Sequence, residues 1–530
     1  MPVDTVTDRT ALAAIASPGG KVAYLGEEGR QGLFAFKPGN YAARVAADSL
    51  QGLYVASMLV ASSAGCWVRH WDGVNGRPEW FGAQVNNGTF NNLPALDACV
   101  ALCPVTLLQL ADYWIPDTWV INTSYRRVEG QGVQSYDTYQ GTRILLPDGS
   151  KTVMRVGPAS APGGNPAVTY LRHVEVSGVN LTRVAAVVPT ANAELLPTAM
   201  RVNYVYECRF SNIAGWESAI GFSIHGAVTT KFDDCIAFRS AAGTTPVNDM
   251  FFGFYCIGNP PVIAGGNASL YLNRCLASLG GTPPLSFSSG FRLTGAFVDT
   301  FLTQPETLAC HRGISVVGTG STGAPGSNID LHISHAIIDQ SLDFGLSLED
   351  LAPGSLIEIS HPYVSMPASG FAGIYFRAGG GNVSLIGGQV IGTSGGVTIG
   401  LFVEQQGGVD AIDLKIHNCP RPVIIDGSSN FRIEPAINNP GTSGSNSAIW
   451  VVGSTRGEIN ASVKGKANAF NQGVYFSGAA GGNSRVDVRC TRIDPACIIG
   501  GSGNKLVNVS TQVTATGPFG ASHLASGIMT

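Results

Sequence analysis

The residues best suited to chemistry in this chain are carboxylates that come in pairs. Asp233 and Asp234 are adjacent, Asp299 and Glu306 share a segment with Phe297 and Phe301, and Asp339 and Asp343 stand four apart, with Glu349 and Asp350 shortly after. Two carboxyls roughly 5 to 9.5 Å apart, one carrying a proton and the other acting as base or nucleophile, are what hydrolysis of a glycosidic bond requires. Phe297 and Phe301 have the flat faces on which a sugar ring stacks. Elimination would instead need a base and a cation that neutralises an acidic sugar. Arg292, His311, Arg312 and His361 offer that, and the first three serve equally as substrate-binding groups. Lysines are scarce and no carboxylate cluster has the form of a calcium site, which ranks hydrolysis above elimination. Each pair also has a structural reading. Lys231-Phe-Asp-Asp-Cys235 is one of several similar corner phrases, beside Tyr206-Glu-Cys208 and Leu272-Asn-Arg-Cys275, and the other pairs suit solvated loops or corners.

A repeat positions these side chains. Gly345-Leu-Ser-Leu348, Gly373-Ile-Tyr-Phe376 and Gly400-Leu-Phe-Val403 are one strand word written three times, and Pro422-Val-Ile-Ile425 keeps its apolar part. The word recurs every 22 to 28 residues here, and a second strand such as Ser355-Leu-Ile-Glu-Ile359 falls between the copies. Short strands at this period, with Gly, Asn and Ser at the corners, specify a solenoid. Earlier copies begin at Gly221, Gly253, Gly290 and Gly313, later ones at Ala448, Gly473 and Ala496. Stacked parallel strands lie about 4.8 Å apart, so some fourteen coils would make a rod on the order of 65–70 Å long and bring carboxylates of neighbouring coils into catalytic range. Three earlier gaps reach 32 to 37 residues. The surplus must leave as loops, which places long loops, and with them binding or catalysis, between about 240 and 345, including 240–249 and 295–306.

Composition narrows the class. Charged residues are 13% and glycines 68 of 530, poor material for amphipathic helices and good material for turns. A net charge of −4 gives no reason to expect nucleic acid as partner. No apolar run approaches a membrane span, and the first residues lack the apolar core of a signal peptide. The eleven cysteines are irregularly spaced. They read as buried small side chains made in a reducing compartment, with Cys99 and Cys103 at most half a metal site.

In chain order, residues 1–20 read as a leader, mobile or bound to a partner, and 1–76 as a head or attachment module. A capping helix and first coil follow over 77–125, then coils over 126–510 and a tail over 511–530. Asn92 stands at the N-cap of the clearest helix signal, with Leu96, Cys99, Val100 and Cys103 on one face and Pro104 as its stop. The order Trp80-Phe-Gly-Ala83, short helix, strands and Gly130-Gln-Gly132 resembles the entry to the right-handed, single-stranded parallel β-helix of the pectate-lyase superfamily, in which the helix caps the open end. Gln84-Val-Asn-Asn-Gly88 replaces the acidic phrase often found there, which argues against an ion in that loop. Asp233-Asp234 resembles the paired aspartates of polygalacturonase-like members, but their Gly-His-Gly and Arg-x-Lys phrases are absent.

With its head segment and no export signal, the chain resembles a bacteriophage tailspike or tail-fibre protein. The resemblance implies a virion component, usually a homotrimer, attached to other tail proteins by its head and acting on capsule or lipopolysaccharide without cofactor or metal. Only about 20 residues follow the last coil, so trimerisation would fall to the coil faces. Three readings stay open: a depolymerase, a non-enzymatic adhesin or structural tail protein, and a bacterial polysaccharide lyase or epimerase.

Overall fold

The recurring glycine has a steric cause. In the computed structural model, a Cβ at Gly345 would lie 2.4 Å from Val364 Cγ1 and 2.5 Å from the carbonyl oxygen of Gly373, the same position one coil on. Gly221, Gly253, Gly290, Gly313, Gly373 and Gly400 are confined in the same way. The word starts where its strand runs closest to the side chains of another strand across the core. The residues described are 3–132, 141–162, 166–185, 196–240, 250–258, 267–280, 287–318, 328–393, 398–438, 447–464, 472–477, 484–491, 496–499, 505–512 and 527–529.

The chain divides into two compact units, Met1–Ser218 and Ala219–Thr530. The first opens with a five-stranded sheet in the order Asp4–Val6, Val22–Leu25, Gly32–Pro38, Gly65–Arg69, Tyr54–Val55. The expected leader is part of this sheet. Asp4–Val6 pairs in parallel with Ala23–Leu25, and Leu12 of the helix Arg9–Ala13 packs with Phe34 and Trp67 in its core. The capping helix spans Leu93–Leu102 and buries Leu96, Cys99 and Val100, with Cys103 buried just beyond. Asn92 precedes it without capping. Its side chain is fully buried and instead accepts from the Gln84 N–H at 2.8 Å, pinning the entry loop. Coils then begin, as in the parallel register Trp119–Ile121, Met154–Val156, Met200–Val202.

The second unit repeats three strands per coil. Each strand pairs in parallel with its equivalent one coil on, as in the series Gly290–Thr294, Gly313–Val317, Gly345–Glu349, Gly373–Arg377. The fold is a right-handed parallel β-helix. Inside, Phe222, Phe254 and Phe291 stack at 4.7 and 4.8 Å, the inter-strand spacing. The nine described cysteines are buried and unbridged. Segment 295–306 is not a loop: Phe297–Thr303 is a strand paired on both sides, with a register shift between Phe297 and Thr300. The expected loop 240–249 lies, after Ser240, outside the described residues. No helix among the described residues is long and apolar enough to cross a membrane.

Gly345→Val should destabilise the fold by about 1–3 kcal/mol through overpacking. Denaturant or thermal unfolding checks this, and an unchanged midpoint would refute the steric reading.

Candidate functional site

Along each glycine word, side chains alternate between core and surface. Leu346 and Leu348 point into the core; Ser347 and Glu349 take the opposite side of the strand, where Phe344 also packs, and all three are largely covered. Stacking the coils turns the outward positions into columns. One column runs Phe252, Ser289, Arg312, Phe344, Ala372 and Ile399. A second runs Tyr255, Arg292, Ser315, Ser347, Tyr375, Phe402, Ile424 and Trp450. A third runs Val317, Glu349, Arg377, Glu404 and Asp426.

Charged groups of these columns converge on Arg312. Its Nε donates to Asp343 Oδ2 at 2.9 Å and its Nη1 to Glu349 Oε1 at 2.8 Å, while its guanidinium lies 4.9 Å from the centre of the Phe344 ring. Arg377 approaches Glu349 at 3.7 Å and Glu404 at 4.0 Å, and the Tyr375 hydroxyl donates to Glu404. Arg292 donates to Ser315 Oγ at 2.7 Å. Glu349 is the most enclosed acid, its side chain 11% exposed against 23% for Asp343. Two contacts to one planar guanidinium keep the contacting carboxylate oxygens no more than about 8 Å apart, below the upper end of the spacing of glycosidase pairs.

The setting shifts its neighbours. Burial, reinforced by Arg312, pushes the His311 imidazole below its ordinary value, although Asp343 Oδ2 stands 4.0 Å away and opposes the shift. Burial and the bond to Glu404 push the Tyr375 phenol well above its usual range. Burial and Arg312 lower the Arg292 guanidinium. Beyond the charges lies an aromatic row. Phe344 stacks on Tyr375 at 4.4 Å, Tyr375 on Phe402 at 5.1 Å, and exposed Phe371 meets Phe344 and Phe402 edge-on.

Four sequence candidates therefore meet here: Arg292, His311, Arg312 and Asp343. The others do not. Asp233 accepts from Asn273, and Asp234 pairs with Arg274 at 2.7 Å in a left-handed corner, which holds its carboxyl below the usual range. Asp299 takes a left-handed conformation at the register shift, like Thr229 and Ser269 at the same place in earlier coils. Glu306 is exposed, opposite Leu276 and Ile337 on another face, and Asp339 stands opposite Leu308 and Ser365. Phe297 cannot stack on a ligand, because the alternation of its strand turns it wholly into the core. Phe301 faces outward, stacked between Tyr271 at 5.1 Å and His332 at 4.7 Å. Sequence reasoning missed Arg377 and Glu404 and saw Glu349 only as a neighbour of the acid pair. Each directly follows a copy of the strand word, so aligning the words lines all three up.

No protein-family model and no curated protein matches the chain. Among solved structures, the tailspike protein of E. coli bacteriophage HK620 in complex with a pentasaccharide is similar over 78% of this chain and 76% of its own, with 13% identity and a TM-score of 0.55. A variant of that tailspike in complex with a hexasaccharide gives 78%, 75%, 13% and 0.54. At this identity the likeness is one of fold.

A double-mutant cycle on Arg312 and Glu349 should give a coupling of about 1–3 kcal/mol in unfolding, as expected for contacting charges with little solvent between them. A coupling near zero would mean that the pair does not persist in solution. His311 binds its proton less readily folded than unfolded, so its contribution to stability is full above the unfolded value of 6.5 and is lost as pH falls through that value toward the lower folded one. His311→Asn should flatten the slope of stability against pH in that acidic window, and an unaltered slope would contradict it.

Proposed function

We propose that the chain is a tailspike-type protein that binds an extended bacterial surface polysaccharide and hydrolyses it with Asp343 and Glu349. The observation that carries the reading is the single guanidinium that contacts both carboxylates on the side of the coil away from the core. Once substrate has displaced Arg312 and Arg377 from it, the enclosed Glu349 takes up a proton from solvent and gives it to the departing glycosidic oxygen. Asp343, the more open, takes a proton from the water that attacks the anomeric carbon. The C–O bond breaks, water supplies the new oxygen, and the products are a hemiacetal and an alcohol. Arg312 and Arg377 position the acids, and exposed Phe371 with partly exposed Phe402 and Trp450 offers faces for sugar rings. The oligosaccharides held by the similar tailspike support the choice of substrate class. On the same resemblance the protein is assigned to the virion as a homotrimer, attached to other tail proteins through residues 1–76.

A second reading, a non-cleaving adhesin on the same rod, is favoured by one feature: Arg312 occupies both carboxylates.

Purified protein incubated with capsule or lipopolysaccharide should shorten the polymer and create reducing ends without ultraviolet-absorbing unsaturated ends. Glu349→Gln and Asp343→Asn should each lower the rate on the order of 10²-fold or more while binding persists. Binding with an unchanged polymer selects the adhesin, and unsaturated ends select elimination.

A further inference from the structure

A second surface of the same unit is built to hold a polymer and shares no residue with the Arg312 cluster. A groove of about 840 Å³ crosses six coils at the junction of the other two strand faces, from His361 to Arg489. Six coils span about 24 Å at the inter-strand spacing.

The groove arises from a change in the corner. In earlier coils this corner is one left-handed residue: Asp234, Arg274, Gln304, His335, His361, Gly387 and Asp413 all have φ between 49° and 68°. At 387–388 the corner is two glycines. A Cβ on Gly387 would come within 2.8 Å of the His361 ring, and one on Gly388 within 2.5 Å of Pro362. At Asp413 the register shifts against the next coil. From there on the corner is gone, and Ser429–Asn438, Thr455–Lys464 and Ser484–Thr491 run straight through it. The groove is thus lined there by glycine backbone packed against His361 and Pro362, and it continues onto a flattened stretch.

The column along one side runs Tyr363, Gln389, Lys415, Ala436, Ser462, Arg489. The small residues Ala436 and Ser462 form a floor between two cations three coils apart. Asn460 and Asp487 face them in the adjoining column. Glu434 is already paired with Arg432 at 2.6 Å. Asp413, Lys415, Asp487 and Arg489 make no ion pair or side-chain hydrogen bond among the described residues, which leaves two acids balanced by two bases.

We propose that this groove binds an extended, uncharged glycan, separately from cleavage at Asp343 and Glu349. Hydroxyl and amide groups satisfy carboxylates and cations alike. A polyanion would meet two carboxylates, and nucleic acid would demand a basic stripe. A peptide adding as a strand would need a free sheet edge, whereas the strands lining the groove are paired coil to coil. Tyr363 and exposed Ile386 supply an apolar rim for a sugar face.

The test probes the full chain against an array of uncharged and anionic bacterial surface polysaccharides. Wild type should retain uncharged glycans. Ala436→Trp, which fills the floor, should weaken them by about tenfold or more, equivalent to losing one or two good contacts, at an unchanged unfolding midpoint. Should that variant misfold, Asp413→Asn with Lys415→Gln decides by the same criterion. Retention of anionic glycans alone, no retention of any glycan, or retention indifferent to the groove variants overturns the proposal. Uncharged glycans held through the groove but never shortened would sink the hydrolase reading and leave this one standing.

Discussion

One hydrogen bond, repeated coil after coil, organises the second unit. At the corner between two strand faces, the N–H of each left-handed residue donates to the carbonyl of the last strand residue one coil on: Asp234 to Asn273, Arg274 to Thr303, Gln304 to Ser334, His335 to Ser360, His361 to Ile386 and Gly387 to Ile412, all at 2.8–3.0 Å. The left-handed conformation costs a residue with a side chain roughly 1–2 kcal/mol. The hydrogen bond offsets part of that cost. Each coil therefore copies the dihedral angle of its neighbour, and the following residue turns inward as Cys235, Cys275 or Ala336.

Copying the backbone also copies side-chain direction, and this is what concentrates chemistry. Identical positions must stack at about 4.8 Å, so like charges in one column would repel. Parts of the columns avoid this in two ways, although Asp426 directly follows Glu404. Glu349, Arg377, Glu404 alternate in sign along one column, and Asp234 precedes Arg274 along another. Arg312 solves a harder case: with Phe344 beneath it in its own column, it reaches across the strand to acids at both of its ends. The enclosed Glu349 depends on that reach, because an isolated carboxylate so placed would be costly.

Much of this is legible in the amino-acid order. The glycine words announce the strands, and their spacing announces a solenoid. The corner phrases around Asp234 and Arg274 announce a stacked turn. What stays hidden depends on which side of a strand a residue faces. Phe297 and Phe301 are four apart and read as partners, yet the register shift sends one into the core and the other into an outward stack. Asp339 and Asp343 also read as a pair, yet Asp339 ends the strand Ile337–Asp339 while Asp343 lies in the bend before Phe344–Glu349. Glu349 stands in plain view after its word, but its link to Asp343 passes through Arg312, 31 and 37 residues away. Linear spacing within a coil misleads, while spacing modulo the repeat points to the site.

The same reasoning explains why the two candidate surfaces differ in character. On the Arg312 face the columns are dense and the charges around Arg312 are paired, so a ligand reaching those acids must displace an existing partner. That suits a site in which acids are held ready and released when substrate arrives. Past the 387–388 notch the copying fails: after the Gly387 bond to Ile412, a register shift at Asp413 and the loss of the left-handed corner follow within two coils. Where the corner bond is no longer repeated, side chains lose the neighbours that would have paired with them, and Lys415, Asp487 and Arg489 face the groove without partners among the described residues. An interruption in a solenoid thus exposes donors and acceptors that a regular stack would have consumed, and it does so without lengthening the chain.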